Sequence, residues 1–257
     1  MCLIVFAYRY HPNYPLILAA NRDEFYDRPT SKAHFWDDHT DLLAGRDMKY
    51  GGTWMGITRS GRFAAVTNFR EGTESREHPL SRGLMVKDFL KGHESPETYV
   101  KGIIPREGEY NGFNLLVGDT SSLIYYSNRS RERKVLKPGI YGLSNHLLDT
   151  PWPKVVRTRQ LFTHIIDGSN PVDMDRLSEI LYDQTIAEDD ELPDTGFSLE
   201  WERALSAAFI VTPTYGTRAS TVLLIDTDGL VKYIERSFSG PEDPGSTSLH
   251  EFTLTGH

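Results

Sequence analysis

The chain has 257 residues and a single cysteine. One thiol cannot close an internal disulfide, which excludes a disulfide-stapled secreted scaffold and fits a reducing, cytoplasmic location. Long apolar runs are missing. The N-terminal run Cys2 to Tyr8 falls far short of the roughly 18 residues that a membrane span needs. It also lacks a preceding basic region and a small-residue cleavage site, so it is no signal peptide. No integral membrane segment is expected. Lys and Arg number 28 against 36 Asp and Glu, a net charge of −8, and form no basic tract, so a nucleic-acid partner is excluded. The nine histidines are scattered with no HExxH, CxxC or CxxCH, and there is no GxGxxG or Walker loop. Neither a metal nor a cofactor is expected.

What is present reads as strands, then helices, then strands. The apolar fraction is 39% and the charged fraction 25%, enough apolar chain for a sizeable core. Residues 2–8 and 16–20 flank the turn HPNYP and predict a β-hairpin whose first strand is buried on both faces. Residues 53–57 and 63–68, joined across Arg59 to Arg62, predict a second pair. A short helix is expected over 83–91, a third strand pair over 113–118 and 123–126, and another strand over 139–144. Pro153 opens a helix ending at Asp167-Gly168, and Asp173 caps a second through Leu177, Ile180 and Leu181. The acidic stretch 188–195 reads as a solvated loop. Strands return at 207–211, 221–225 and 230–235, with 252–254 at an edge. Mostly antiparallel strands with a block of helices give an α+β class. The length fits one domain over 1–257, and the doubly buried first strand asks for two sheets between helical layers.

The position of the cysteine is the informative part. Removal of Met1 would place a thiol and a free α-amine on one residue, Cys2. The amine, with an ordinary pKa of roughly 7.7–8.0, can take the thiol proton, which makes a nucleophile and its base from one residue. Asn21-Arg22-Asp23-Glu24 arrives where the returning strand reaches Cys2. Asp23 could orient the amine and Arg22 could lower the thiol pKa, or the same residues could simply pair and close a strand end. Neighbours in a strand point to opposite faces, so Arg22 and Asp23 cannot both face Cys2 from a straight strand. Asn68, at the end of a strand, can donate to a developing oxyanion, and Asn145 stands before a helix. Arg218 enters an apolar strand behind Gly216, which permits unusual backbone angles.

MCLIVF, LAANRDEFYDRPT (18–30), AGRDMKYGGTWMGI (44–57), GRFAAVTNFRE (61–71), YNGFNLLVGD (110–119), GIYGLSNHLLDTPWPKV (139–155) and YGTRASTVLLID (215–226) together resemble the NRDE family, the transport and Golgi organisation protein 2 family. That family is similar to the N-terminal-nucleophile (Ntn) hydrolases, which implies a four-layer αββα sandwich. The resemblance extends to cysteine acylases of conjugated bile acids and penicillin V. It implies functional places for Cys2, Arg22, Asp23, Asn68, Asn145 and Arg218. Those acylases separate the arginine and aspartate by three positions. Here the two are adjacent, leaving open which of Asn21, Arg22, Asp23 and Glu24 takes each place. The segment at Asn145 also lacks their proline two residues on.

The leading expectation is a cytoplasmic amidohydrolase acting on a non-peptide C–N amide bond of a small acyl compound. Cys2 attacks, its own amine shuttles the proton, Asn68 and Asn145 assist, Asp23 and Arg22 orient and tune Cys2, and Arg218 supports them. The rival expectation is a non-catalytic carrier of haem or an acyl lipid, since haem needs as little as one His, Cys, Met or Tyr ligand.

Overall fold

The structure, a computed structural model, describes residues 2–72 and 79–255. In chain order it runs β1 (Cys2–His11), β2 (Tyr14–Phe25), β3 (Thr30–Trp36), β4 (His39–Asp47), β5 (Met55–Thr58), β6 (Phe63–Asn68), α1 (Arg82–Lys91), α2 (Pro96–Ile103), β7 (Phe113–Gly118), β8 (Leu123–Ser127), β9 (Glu132–Val135), β10 (Gly139–Leu143), α3 (Pro153–Gly168), α4 (Met174–Glu179), α5 (Leu199–Ser206), β11 (Tyr215–Ile225), β12 (Leu230–Ser237) and β13 (Ser246–Thr253). Two sheets form, of six strands in the order β10-β1-β2-β11-β12-β13 and seven in the order β3 to β9. All the strand pairings in both sheets are antiparallel.

The burial pattern follows from alternation. On β1, Ile4, Phe6 and Tyr8 face the second sheet and join Leu43, Ile57, Ala65 and Leu116 in the central core. Leu3, Val5 and Ala7 face the other way, against Val155, Phe162 and Ile166 of α3 and Leu177 of α4. A third cluster packs Val86 and Phe89 of α1 and Val100 of α2 on the outer face of the seven-stranded sheet, against Leu115 and Val117. The layers are therefore α/β/β/α, the architecture expected. Asp173 caps α4 through bonds from the backbone N–H groups of Asp175 and Arg176 at 3.1 Å each.

Several elements differ from the sequence reading. Residues 207–211 form no strand; only Val211 makes an isolated bridge, to Gly216. The segment is apolar because it covers the helix side of the six-stranded sheet, with Ala208 in the same cluster as Leu3 and Val155. The last strand begins at Ser246 rather than near 252. Strands β3, β4 and β9 and helices α2 and α5 were not anticipated. Among the described residues no helix is long and apolar enough to cross a membrane.

Candidate active site

One end of the sandwich gathers the start of β1, the ends of β2, β6 and β10, and the start of β11. Cys2 pairs in register with Arg22 on one side. Beyond Arg22, β11 carries a bulge between Thr217 and Ala219, so Thr217 pairs with Asp23, Ala219 pairs with Arg22, and Arg218 is the extra residue. Bulges re-aim side chains beside sites, and this one sits two strands from the cysteine.

The main-chain nitrogen of Cys2, the atom that becomes the α-amine once Met1 is removed, donates to Asn145 Oδ1 at 3.3 Å. Asn145 is wholly buried, and its Nδ2 donates to the Asn68 carbonyl at 2.9 Å. Ser144 Oγ donates to the Cys2 carbonyl at 2.9 Å, while Thr67 Oγ1 donates to the Ser144 carbonyl at 2.7 Å. The loop is pinned further on, where Asn114 Nδ2 donates to the His146 carbonyl at 2.9 Å and the Leu148 N–H donates to the Tyr125 hydroxyl at 3.1 Å. Met1 itself lies outside the described residues.

Arg22 and Asp23 occupy opposite faces of β2, as alternation requires. Arg22 lies on the inter-sheet side, stacked at 4.3 Å on the Trp54 ring and 4.0 Å from Glu24. Asp23 points toward the helical layer, is 2% exposed, and accepts from Thr217 Oγ1 at 2.8 Å. The two need not compete for one position, because Cys2 presents two groups: a thiol on one side of the strand and a nitrogen at its start. Asn21 is excluded from either role, since its Nδ2 donates to the carbonyls of Leu181 and Ala208 at 2.7 and 2.8 Å. Glu24 faces the cavity beside Arg28, 3.8 Å away.

Burial raises the Cys2 thiol pKa; the charge of Asp23 adds to that effect and Arg22 opposes it. Burial likewise pushes the Asp23 carboxyl up, against the pull of Lys154 and the hydrogen bond from Thr217. A cavity of about 350 Å³ opens over Cys2 between the sheets, lined also by Arg22, Glu24, Asn68 and Arg82. Its size lies within the range of small-molecule sites. A slightly larger and more apolar cavity, about 410 Å³, lies at the far end of the sandwich between Tyr8, Leu16, Phe63 and Leu123. Its lining also includes Tyr10, His11 and Asp119, and it does not reach Cys2.

Of the expected residues, Cys2, Arg22, Asp23, Asn68 and Asn145 meet at this end. Arg218 does not line the cavity over Cys2. Its guanidinium donates to the carbonyls of Phe238 at 2.8 Å and Phe25 at 2.7 Å, and so fixes the segment that follows Asp23 and Glu24. Sequence reasoning missed Thr217, Trp54 and Lys154, although all three fall inside motifs that carried the family resemblance.

A family profile described as Transport and Golgi organisation 2 matches residues 1–240. The chain belongs to that family. It is 40% identical over 276 residues to the Transport and Golgi organization protein 2 homolog of Bos taurus, with 99% of each chain covered. It is 38% identical over 275 residues to the Homo sapiens homolog, again with 99% of each covered. Among solved structures it is similar to the C2A mutant of the conjugated bile acid hydrolase from Clostridium perfringens. That likeness has a TM-score of 0.54 at 10% identity and covers 100% of this chain and 93% of that one. It shows the Ntn-hydrolase fold.

Proposed function

We propose that the protein is an N-terminal cysteine amidohydrolase that cleaves a non-peptide C–N amide bond of a small acyl compound. The observation that carries this reading is the Cys2 nitrogen: it is held by Asn145, at the same strand end where Asp23 is buried, while the thiol borders a cavity of substrate size. Once Met1 is removed, the α-amine takes the thiol proton and the sulfur bonds to the amide carbonyl carbon. Asn68 donates to the oxygen as it becomes an oxyanion. The C–N bond then breaks, and the leaving amine takes the proton back from the α-ammonium. Water attacks the thioester with the α-amine as base, releasing a carboxylic acid and restoring the thiol. Arg22 lies on the thiol's side of the sheet, where its charge favours the thiolate.

The test joins mass and turnover. Untagged protein from cells with normal methionine aminopeptidase should lack the Met1 mass. It should hydrolyse members of a panel of chromogenic N-acyl amides, and Cys2→Ala should abolish turnover. Retention of Met1 in essentially every molecule would remove the base and sink this mechanism.

A further inference from the structure

An edge strand offers unpaired N–H and C=O groups, which natural proteins guard against stray pairing. The edges of the two sheets are β10 and β13 in one and β3 and β9 in the other. Strand β3 is guarded by register shifts between Ser31 and His34 and between Phe35 and Trp36. Strand β9 is short and carries the charges of Glu132, Arg133 and Lys134. Strand β10 is blocked by the loop that follows it: the Gly142 N–H donates to Asp149 Oδ1 at 2.8 Å, and the Asp149 N–H donates to the Gly142 carbonyl at 2.7 Å. Strand β13 has none of these devices. Its 8 residues hold an unbroken register on β12, from Leu230 opposite Thr253 to Ser237 opposite Ser246, with no proline or glycine inside. The Leu254 N–H extends that ladder to the Gly229 carbonyl at 2.9 Å. Bonded pairs alternate along an antiparallel ladder, so Phe252, His250, Ser248 and Ser246 bond β12. Thr247, Leu249, Glu251 and Thr253 turn their main-chain groups to the open side, where no main-chain hydrogen bond reaches them among the described residues.

The same four residues form the outer face of the strand, opposite the face on which His250 and Phe252 meet Phe35 of β3. Leu249 on that outer face is 65% exposed. We propose that β13 is the interface of a two-fold dimer, pairing antiparallel with β13 of a second copy about an axis at Leu249. A second copy fits because a two-fold interface must be complementary to itself, and this strand is. Bonded pairs form only between residues with outward main-chain groups. Setting Leu249 opposite the partner's Leu249 therefore sets Thr247 opposite the partner's Glu251. The side-chain rows across the joined sheets then match. Ile234, the β12 neighbour of Leu249, starts an apolar row that runs through both leucines to the partner's Ile234. The rows on either side run Lys232, Glu251, the partner's Thr247 and the partner's Arg236, with no like charges side by side. Lys232 and Glu251 already stand 3.9 Å apart. A register moved by two residues in either direction sets Leu249 against Glu251 or Thr247 and loses the apolar row. In the proposed register the two six-stranded sheets become one, and the unguarded edge disappears.

Light scattering on the full chain across a micromolar concentration series should show twice the mass of one chain. A mass that stays at one chain throughout overturns the proposal. Leu249→Lys sets two like charges face to face on the axis and should raise the dimer dissociation constant at least about tenfold. The monomer should keep its fold, since that side chain is exposed. Thr247→Pro removes an N–H that β12 does not use, a place where an edge strand accepts proline, and should weaken the dimer likewise. Val135→Lys on the β9 edge should leave the constant unchanged. A dimer that survives Leu249→Lys or Thr247→Pro unweakened lies elsewhere and overturns the proposal. The register is read by cross-linking in a Cys2→Ala background, which removes the one native thiol. Leu249→Cys sets two Cα atoms at the roughly 5.5 Å spacing of a bonded pair, within disulfide reach, so mild oxidation should link the copies. Thr247→Cys sets its two thiols about 13 Å apart along the strands and should not link them. Linking of neither variant, or of both equally, overturns the proposal.

Discussion

Asn145→Ala is the substitution whose cost the structure states most directly. Asn145 joins three parts of the chain. Its Oδ1 accepts from the Cys2 N–H and the Ser144 hydroxyl, each at 3.3 Å, and its Nδ2 donates to the Asn68 carbonyl at 2.9 Å. Truncation leaves the Cys2 N–H and the Asn68 carbonyl without that partner. A buried group left unsatisfied costs roughly 1–3 kcal/mol. The 3.3 Å contact lies beyond the usual N–H···O range and belongs at the low end; the 2.9 Å bond lies in the middle. Together they give about 3 kcal/mol, or a fall in Tm of roughly 6–12 °C for a chain of this size. Urea unfolding followed by far-UV circular dichroism measures it. Asn145→Asp is the control for chemistry rather than volume. It keeps an acceptor for Cys2 but sets a carboxylate oxygen against the Asn68 carbonyl, so it should recover little stability. A loss under about 1 kcal/mol for Asn145→Ala, or near-complete recovery in Asn145→Asp, would refute the hydrogen-bond account.

Further outcomes follow from other contacts. A Cβ on Gly45 would sit 2.1 Å from Trp54 Cη2, so Gly45→Ala must displace the indole on which Arg22 lies. It should cost about 1–3 kcal/mol and slow Cys2 alkylation; an unchanged alkylation rate would detach Arg22 from the thiol. Arg70→Met breaks the buried pair with Glu202 and should cost about 3–5 kcal/mol. The Arg70→Met, Glu202→Gln double variant should lose less than the Arg70→Met single, and a larger loss would contradict the pairing. Asp173→Ala removes the α4 cap, for about 1 kcal/mol, with alkylation of Cys2 unaffected. Lys154 is depressed to about 8 in the folded protein, against about 10.4 unfolded. Between those values the unfolded chain binds the proton that the folded chain has lost, so stability rises with pH across that window. Urea titrations at both ends should show a rise in the wild type that is missing in Lys154→Met; parallel curves would refute the shift.

The hairpin β1–β2 was legible because both faces of its strands are buried, which writes a continuous apolar run. Strands β3 and β4 were not, because they lie toward the edge of the seven-stranded sheet and mix buried Ala33 and Leu43 with exposed Lys32 and Asp41. Residues 207–211 misled for the opposite reason. They are as apolar as a strand, yet the Ala208 carbonyl is taken by the Asn21 side chain rather than a ladder. At the site, Cys2 with the polar block at 21–24 was readable from order alone. The division of labour between Arg22 and Asp23 needed the register that sets Arg22 opposite Cys2. Lys154 was not readable, since a lysine in the first turn of a helix is usually solvated. It is buried where α3 docks against β1 and β10.

The two sheets also differ in how much chain must exist before they can close. In the seven-stranded sheet every strand pairs with its sequence neighbour, so its pairings can form in the order the ribosome delivers them, the one long step being β6 to β7 across α1 and α2. The six-stranded sheet must wait. Strand β1 has only β2 beside it until β10 arrives, and Ile4 of β1 pairs with Leu143, a separation of more than a hundred residues. Loops of that length close late. Cys2 is thus synthesised first and its free strand edge stays open until β10 pairs, which leaves that end of β1 reachable while the first half of the chain is made. Pulsed hydrogen exchange during refolding should protect the amides of β7 and β8 before those of β10. The reverse order would mean that the site nucleates the fold instead of being completed by it.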